Sequence, residues 1–154
     1  MNFFAVLNHY IHLTSVVLWI GGLAFQVFII APLLKRGDPS YPFLKKISKR
    51  FRYMVAPILL ILVVTGGVNF HFRRAGYEFV PPGYISAIGV KVFLFAAAAS
   101  LYFSGLLRSR REEEAEEESS GADPSPPGFV FTKLTLVIGL IILFLAAMLR
   151  HWKF

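Results

Sequence analysis

Five residues of this chain have the types and positions to do chemistry: His9, His12, His71, His151 and Lys91. The four histidines stand at the ends of long apolar runs, and Lys91 stands inside one. An ionisable group within an apolar run is expensive enough that it usually faces an interior cavity and marks function. The chain has no cysteine, which rules out disulfides, thiolate metal sites, iron–sulfur clusters and covalent c-type haem attachment through it. Any metal must therefore use His, Lys, Met, carboxylate or backbone ligands. No phosphate-binding loop, dinucleotide fingerprint, HExxH motif or serine nucleophile elbow is present, so hydrolytic and nucleotide-driven functions have little support.

The elements that must position these residues are apolar helices. Hydrophobic residues make up 56% of the 154, aromatic residues 16%, and mean hydropathy is +0.61, more than a soluble domain of this size can bury. Four runs are long enough to span a bilayer core, at about 3–34, 53–72, 84–107 and 129–149. The first is too long for a signal-peptide core and lacks a basic flank before it, so it reads as a span. Pro57 falls one turn inside the second run, where a missing N–H is tolerated, and Gly66 and Gly67 permit close helix approach. The segment 108–128 carries the acidic stretch Glu112–Glu118 and then a Ser/Gly/Pro-rich stretch, a composition that reads as a solvated, flexible loop. Expected, then, is an all-α integral membrane protein: a single antiparallel four-helix transmembrane bundle.

Charge sets the expected orientation. Lys35, Arg36, Lys45, Lys46, Lys49, Arg50, Arg52, Arg108, Arg110, Arg111 and Lys133 lie at one end of the bundle, against Arg73, Arg74, Arg150 and Lys153 at the other. The positive-inside rule puts the first group in the cytoplasm and both termini outside, as in a multi-pass protein of a bacterial inner membrane. The net charge of +7 thus belongs beside anionic head groups, and nucleic acid is not an expected partner.

Antiparallel threading gathers all four histidines at the end opposite the basic loops. Lys91 lies seven residues into its run, roughly 10 Å along a helix axis, and His12 reaches a similar depth. Asn8, His12, Ser15, Trp19, Gly22 and Gln26 form one stripe of the first helix; Tyr84, Lys91, Ala98, Tyr102 and Gly105 form another on the third. On the second helix His71 shares a face with Gly67, while Asn69 points nearly the opposite way, so the two cannot line one site. His151, followed by Trp152 and Lys153, reads as an interfacial anchor.

Imidazoles between helices, with aromatic surroundings and no acid in the spans, suit a b-type haem better than a hard cation. His12 is the expected principal axial ligand, Lys91 or His71 the second, and His9 a supporting donor. Arg73 and Arg74 stand where haem propionates would need cations, although ordinary head-group contact is the simpler account of them. Copper is the rival, because imidazole suits it too. Methionine-based Cu(I) transport is weakly supported, since Met54 and Met148 map to opposite sides. A cofactor-free structural subunit of a membrane complex is the third class.

The segment His12-Leu-Thr-Ser-Val-Val-Leu-Trp19-Ile-Gly-Gly22 resembles the first helix of the copper-resistance protein D (CopD) membrane domain. Arg50-Phe-Arg-Tyr-Met-Val-Ala-Pro57, with Thr65-Gly66 and Asn69, resembles its second helix, and Lys91 matches a lysine opening its third. The same pattern is similar to the four-helix J-type protoporphyrinogen oxidase family. That second resemblance implies haem b, with His12 and Lys91 at the positions of an essential histidine and lysine, and an oxidoreductase; the first implies copper uptake. His9, His71 and the Glu-rich segment depart from both patterns. The expectation is a haem b protein exchanging electrons near the outer face with a partner protein, a quinol or a porphyrin-like substrate, alone, as a homo-oligomer or within a larger membrane complex.

Overall fold

The computed structural model describes residues 3–33, 39–75, 82–118 and 129–151. Among them there is no strand, and four helices are long and apolar enough to cross a membrane. These are α1 (Phe3–Leu33), α2 (Tyr41–Arg74), α3 (Pro82–Glu118) and α4 (Phe129–His151). The protein is an integral, multi-pass membrane protein. Its outer surface agrees: Val130 is 75% exposed, Phe93 72% and Phe3 71%, apolar area that lipid solvates and water would not.

Two helices are longer than the apolar runs imply. α2 begins at Tyr41 rather than near 53, with Pro42 in its first turn, where a residue without an N–H costs nothing. Its 34 residues extend ~51 Å against a core of ~30 Å, so the basic stretch Lys45–Arg52 is helical and projects beyond the span. Pro57 therefore sits in mid-helix, not one turn in, and withholds the N–H that would bond the Tyr53 carbonyl. At the neighbouring carbonyl, that of Arg52, the Tyr102 hydroxyl of α3 donates a hydrogen bond.

α3 does not end at Leu107 but continues to Glu118, so Glu112–Glu118, expected in a loop, is helical. Its Glu, Arg, Leu and Ala residues are strong helix formers, and Arg108 and Arg110 stand four before Glu112 and Glu114. Low hydrophobicity argues against a core, not against a helix. The Ser/Gly/Pro-rich segment 119–128 lies outside the described residues. α1 departs from regularity at Gln26–Ile30, a π-helical turn in which the Ala31 N–H bonds the Gln26 carbonyl. Pro32 follows at once; it cannot donate to the Phe28 carbonyl and crowds it, which the wider turn relieves.

The core lies between the helices rather than under a surface layer: Trp19, Ile20 and Leu23 of α1, Val55, Leu59 and Leu62 of α2, Ala98 and Tyr102 of α3, Leu136 and Ile142 of α4. Residues without a Cβ set the close approaches. The Phe51 ring occupies the place a Gly22 side chain would take, Phe131 packs on Gly105, and Ile20 packs on Gly139. Gln26 and Ser48 fasten α1 to α2 near the basic end: Ser48 Oγ donates to Gln26 Oε1 at 2.7 Å, and both residues are buried. In lipid such small-residue contacts and polar clasps do what hydrophobic burial does in water.

Candidate functional site

The opposite end of the α1–α2 pair carries a second polar clasp, built from Asn8 and His12 on α1 and Thr65 and Asn69 on α2. Asn8 Nδ2 donates both to the Thr65 carbonyl at 3.0 Å and to Asn69 Oδ1 at 2.9 Å. One turn further in, His12 Nδ1 lies 2.8 Å from Thr65 Oγ1. The Thr65 hydroxyl has a single hydrogen and gives it to the Ile61 carbonyl at 2.6 Å. With that hydrogen spent on Ile61, the hydroxyl accepts from the imidazole, the arrangement that goes with the His12 proton on Nδ1; a hydroxyl turned to donate to Nδ1 satisfies the same 2.8 Å contact with the proton on Nε2.

Thr65 engages Nδ1, and no hydrogen bond reaches Nε2 from the described residues. A histidine ligand whose other nitrogen donates to a fixed acceptor is oriented for a metal. The ring lies alongside Gly66, where a Cβ would stand 3.5 Å from His12 Cε1, an ordinary contact, and at Gly67 it would meet nothing. α2 is thus smooth beside the imidazole.

α3 brings Lys91 to this end. Lys91 is half-buried there. One turn along α3, Phe95 meets Trp19 edge to face, ring centroids 5.7 Å apart. Trp19 is 2% exposed, and its Nε1 has no hydrogen-bond partner among the described residues. The Trp19–Phe95 pair thus joins α1 to α3 deeper in the bundle than His12 and Lys91.

His12 and Lys91 thus share this end of the bundle, and no hydrogen bond joins them. His71 does not join them. It is exposed on α2, edge-on to Phe72, while Asn69 takes the face toward α1. The two residues lie on opposite faces as expected, and packing chose Asn69. Arg74 is exposed beside Arg73 at the helix end. His151 closes α4, but its side chain, like Trp152 and Lys153, lies outside the described residues.

Sequence reasoning passed over Thr65 and Asn8 as site residues. The signal was their spacing: Asn8 and His12 are four apart on α1, as Thr65 and Asn69 are on α2, matching one-turn ladders that face each other in antiparallel helices. Among the described residues no three His, Asp or Glu side chains gather as a metal-binding group. A cofactor that needs one imidazole, or one imidazole and one amine, fits the donors present; an ion that needs three such side chains does not. Compared with family models, with curated proteins and with solved structures, the chain matches none.

Proposed function

We propose that the chain is a membrane-embedded b-type haem protein, with His12 Nε2 as axial ligand, exchanging electrons with a redox partner, a quinol or a porphyrin-like substrate. The observation that carries this reading is the 2.8 Å contact of His12 Nδ1 with Thr65 Oγ1, which leaves Nε2 as the ring nitrogen with no hydrogen bond from the described residues and so the one placed to coordinate. A haem bound there would supply one-electron exchange. The residues of the chain orient the imidazole, keep lipid-facing helices around it, and place cations toward the water boundary. The absence of a three-residue metal cluster among the described residues favours haem over the copper reading that the CopD resemblance implies. Burial of Lys91 within a span argues against a merely structural subunit, which has no use for so costly a group.

The distribution of Lys and Arg supports a topology with the Lys45–Arg52 and Arg108–Arg111 end in the cytoplasm and the His12 end outside, as in a bacterial inner membrane. The test of the cofactor is an absorption spectrum of the detergent-purified protein before and after dithionite. A Soret band with visible bands that sharpen on reduction is expected, and His12→Ala should abolish or grossly alter it. A colourless protein with stoichiometric copper, or a haem spectrum that His12→Ala leaves unchanged, refutes the assignment.

A further inference from the structure

Packing fixes which way the basic end of α2 faces. Ser48 donates to Gln26, Phe51 fills the place beside Gly22, and Val55 is buried in the core, so this side turns toward α1. At roughly 100° per residue the opposite side carries Phe43, Lys46, Arg50 and Tyr53, spaced three and four apart, and all four are exposed. The same side continues through the span as Pro57, Leu60 and Val64, again exposed. One face of α2 is thus apolar where lipid tails lie and basic just beyond them, and α2 has no acidic residue along its whole length.

α3 brings a second arginine to this level. Arg50 stands three residues before the apolar run of α2 begins at Tyr53, and Arg110 three residues after that of α3 ends at Leu107, ~4.5 Å along either axis. The head-group layer is roughly 5–8 Å deep on each side of a ~30 Å core, so both positions fall within it. Two contacts join the helices here: the Tyr102 hydroxyl donates to the Arg52 carbonyl, and the Arg110 guanidinium lies over the Tyr53 ring, 5.5 Å from its centroid. Glu114 follows Arg110 by one turn, yet the guanidinium is against Tyr53, and Arg50 is one turn from that ring on α2.

We propose that Arg50 and Arg110, bracketing Tyr53, form a site for the phosphate of an anionic phospholipid, with Lys46 at its outer edge and the acyl chains along Pro57, Leu60 and Val64. A guanidinium matches phosphate oxygens two at a time, and the Tyr53 ring holds one of the pair in place. The occupant is a lipid rather than a soluble anion because the basic and apolar parts form one continuous face, the layout of head and tails in a single molecule. A zwitterionic lipid brings its own cation toward two arginines, so an anionic one is preferred. The site lies at the end of the bundle away from His12 and needs no cofactor.

The test titrates the full chain in detergent with phosphatidylglycerol or phosphatidylcholine of identical chains and reads bound lipid by native mass spectrometry. Phosphatidylglycerol should be retained preferentially, and Arg50→Gln and Arg110→Gln should each weaken its retention about fivefold, what one cation beside an anionic head group is worth. Lys133→Gln, an equal change of charge on the exposed part of α4 at the same end, should alter it less than twofold. A bimane on Met54→Cys, then the sole thiol of the chain, reads this face by itself. In nanodiscs, brominated phosphatidylglycerol should quench it more than brominated phosphatidylcholine, and Arg50→Gln with Arg110→Gln should remove the difference. Equal quenching by the two lipids would overturn the proposal, and so would a retention that Lys133→Gln lowers as much as the arginine substitutions do.

Discussion

Replacing Thr65 by Val is the sharpest test of how His12 is held. The change is close to isosteric and removes one atom of consequence, the hydroxyl oxygen that accepts from His12 Nδ1 at 2.8 Å. Val leaves the Ile61 carbonyl with its own helical bond, so the loss falls on the imidazole N–H. Interhelical polar pairs in membranes average about 0.6 kcal/mol with a maximum near 1.7, and a buried donor left unsatisfied costs roughly 1–3 kcal/mol. Thr65 is 6% exposed and His12 half-buried, which places the expected loss toward the upper part of the first range, about 1–1.7 kcal/mol. Thr65→Ser keeps the oxygen and should recover most of it. The assay is reversible unfolding by SDS in mixed micelles, followed by circular dichroism, on wild type, Thr65→Val, His12→Ala and the double variant. The cycle should return a coupling of about 1 kcal/mol. In the cofactor-loaded protein, Thr65→Val should also shift the ligation bands, because Nδ1 and Nε2 then compete for the proton. Additive single substitutions and an unshifted spectrum would refute the coupling of His12 to Thr65 on which the haem reading depends.

Other expectations follow from the same geometry. Gly22→Ala drives a methyl into the Phe51 ring and should destabilise by about 1–3 kcal/mol, and Phe51→Ala should relieve much of that in the double variant; independent effects in SDS unfolding would show that the α1–α2 contact lies elsewhere. His71→Ala should leave the spectrum and affinity of a bound haem close to wild type, since His71 is exposed away from His12, and loss of the ligation bands would restore it as a ligand. Because the chain has no cysteine, Lys46→Cys and Arg74→Cys can be labelled one at a time in intact cells by an impermeant maleimide. Arg74→Cys should react and Lys46→Cys should not, and the reverse result would invert the proposed topology.

Much of this protein was legible in the sequence, and the parts that were not have identifiable causes. Apolar run length and the spacing of polar residues gave four spans and placed His12 and Lys91 on inward stripes at matching depth, because both follow from helix geometry and the cost of charge in lipid. Helix ends were misjudged for the same reason: hydropathy reports where lipid begins, whereas Tyr41–Arg52 and Arg108–Glu118 are helical through local propensity outside the apolar runs. The π-turn at Gln26–Ile30 likewise depends on how Pro32 is accommodated, which composition does not encode.

For the site, sequence alone determined which groups exist and which end of the bundle they share. It left open whether Asn69 or His71 faces α1, since the two point in opposite directions and rotation of α2 about its axis decides between them. Packing fixed that rotation: Phe51 fills the place left by Gly22, Gly66 lies under His12, and Asn8 reaches Thr65 and Asn69. Only then does Thr65 meet His12 Nδ1. A side chain's type belongs to the sequence, but which of its two nitrogens is free belongs to the neighbour that the fold puts beside the other.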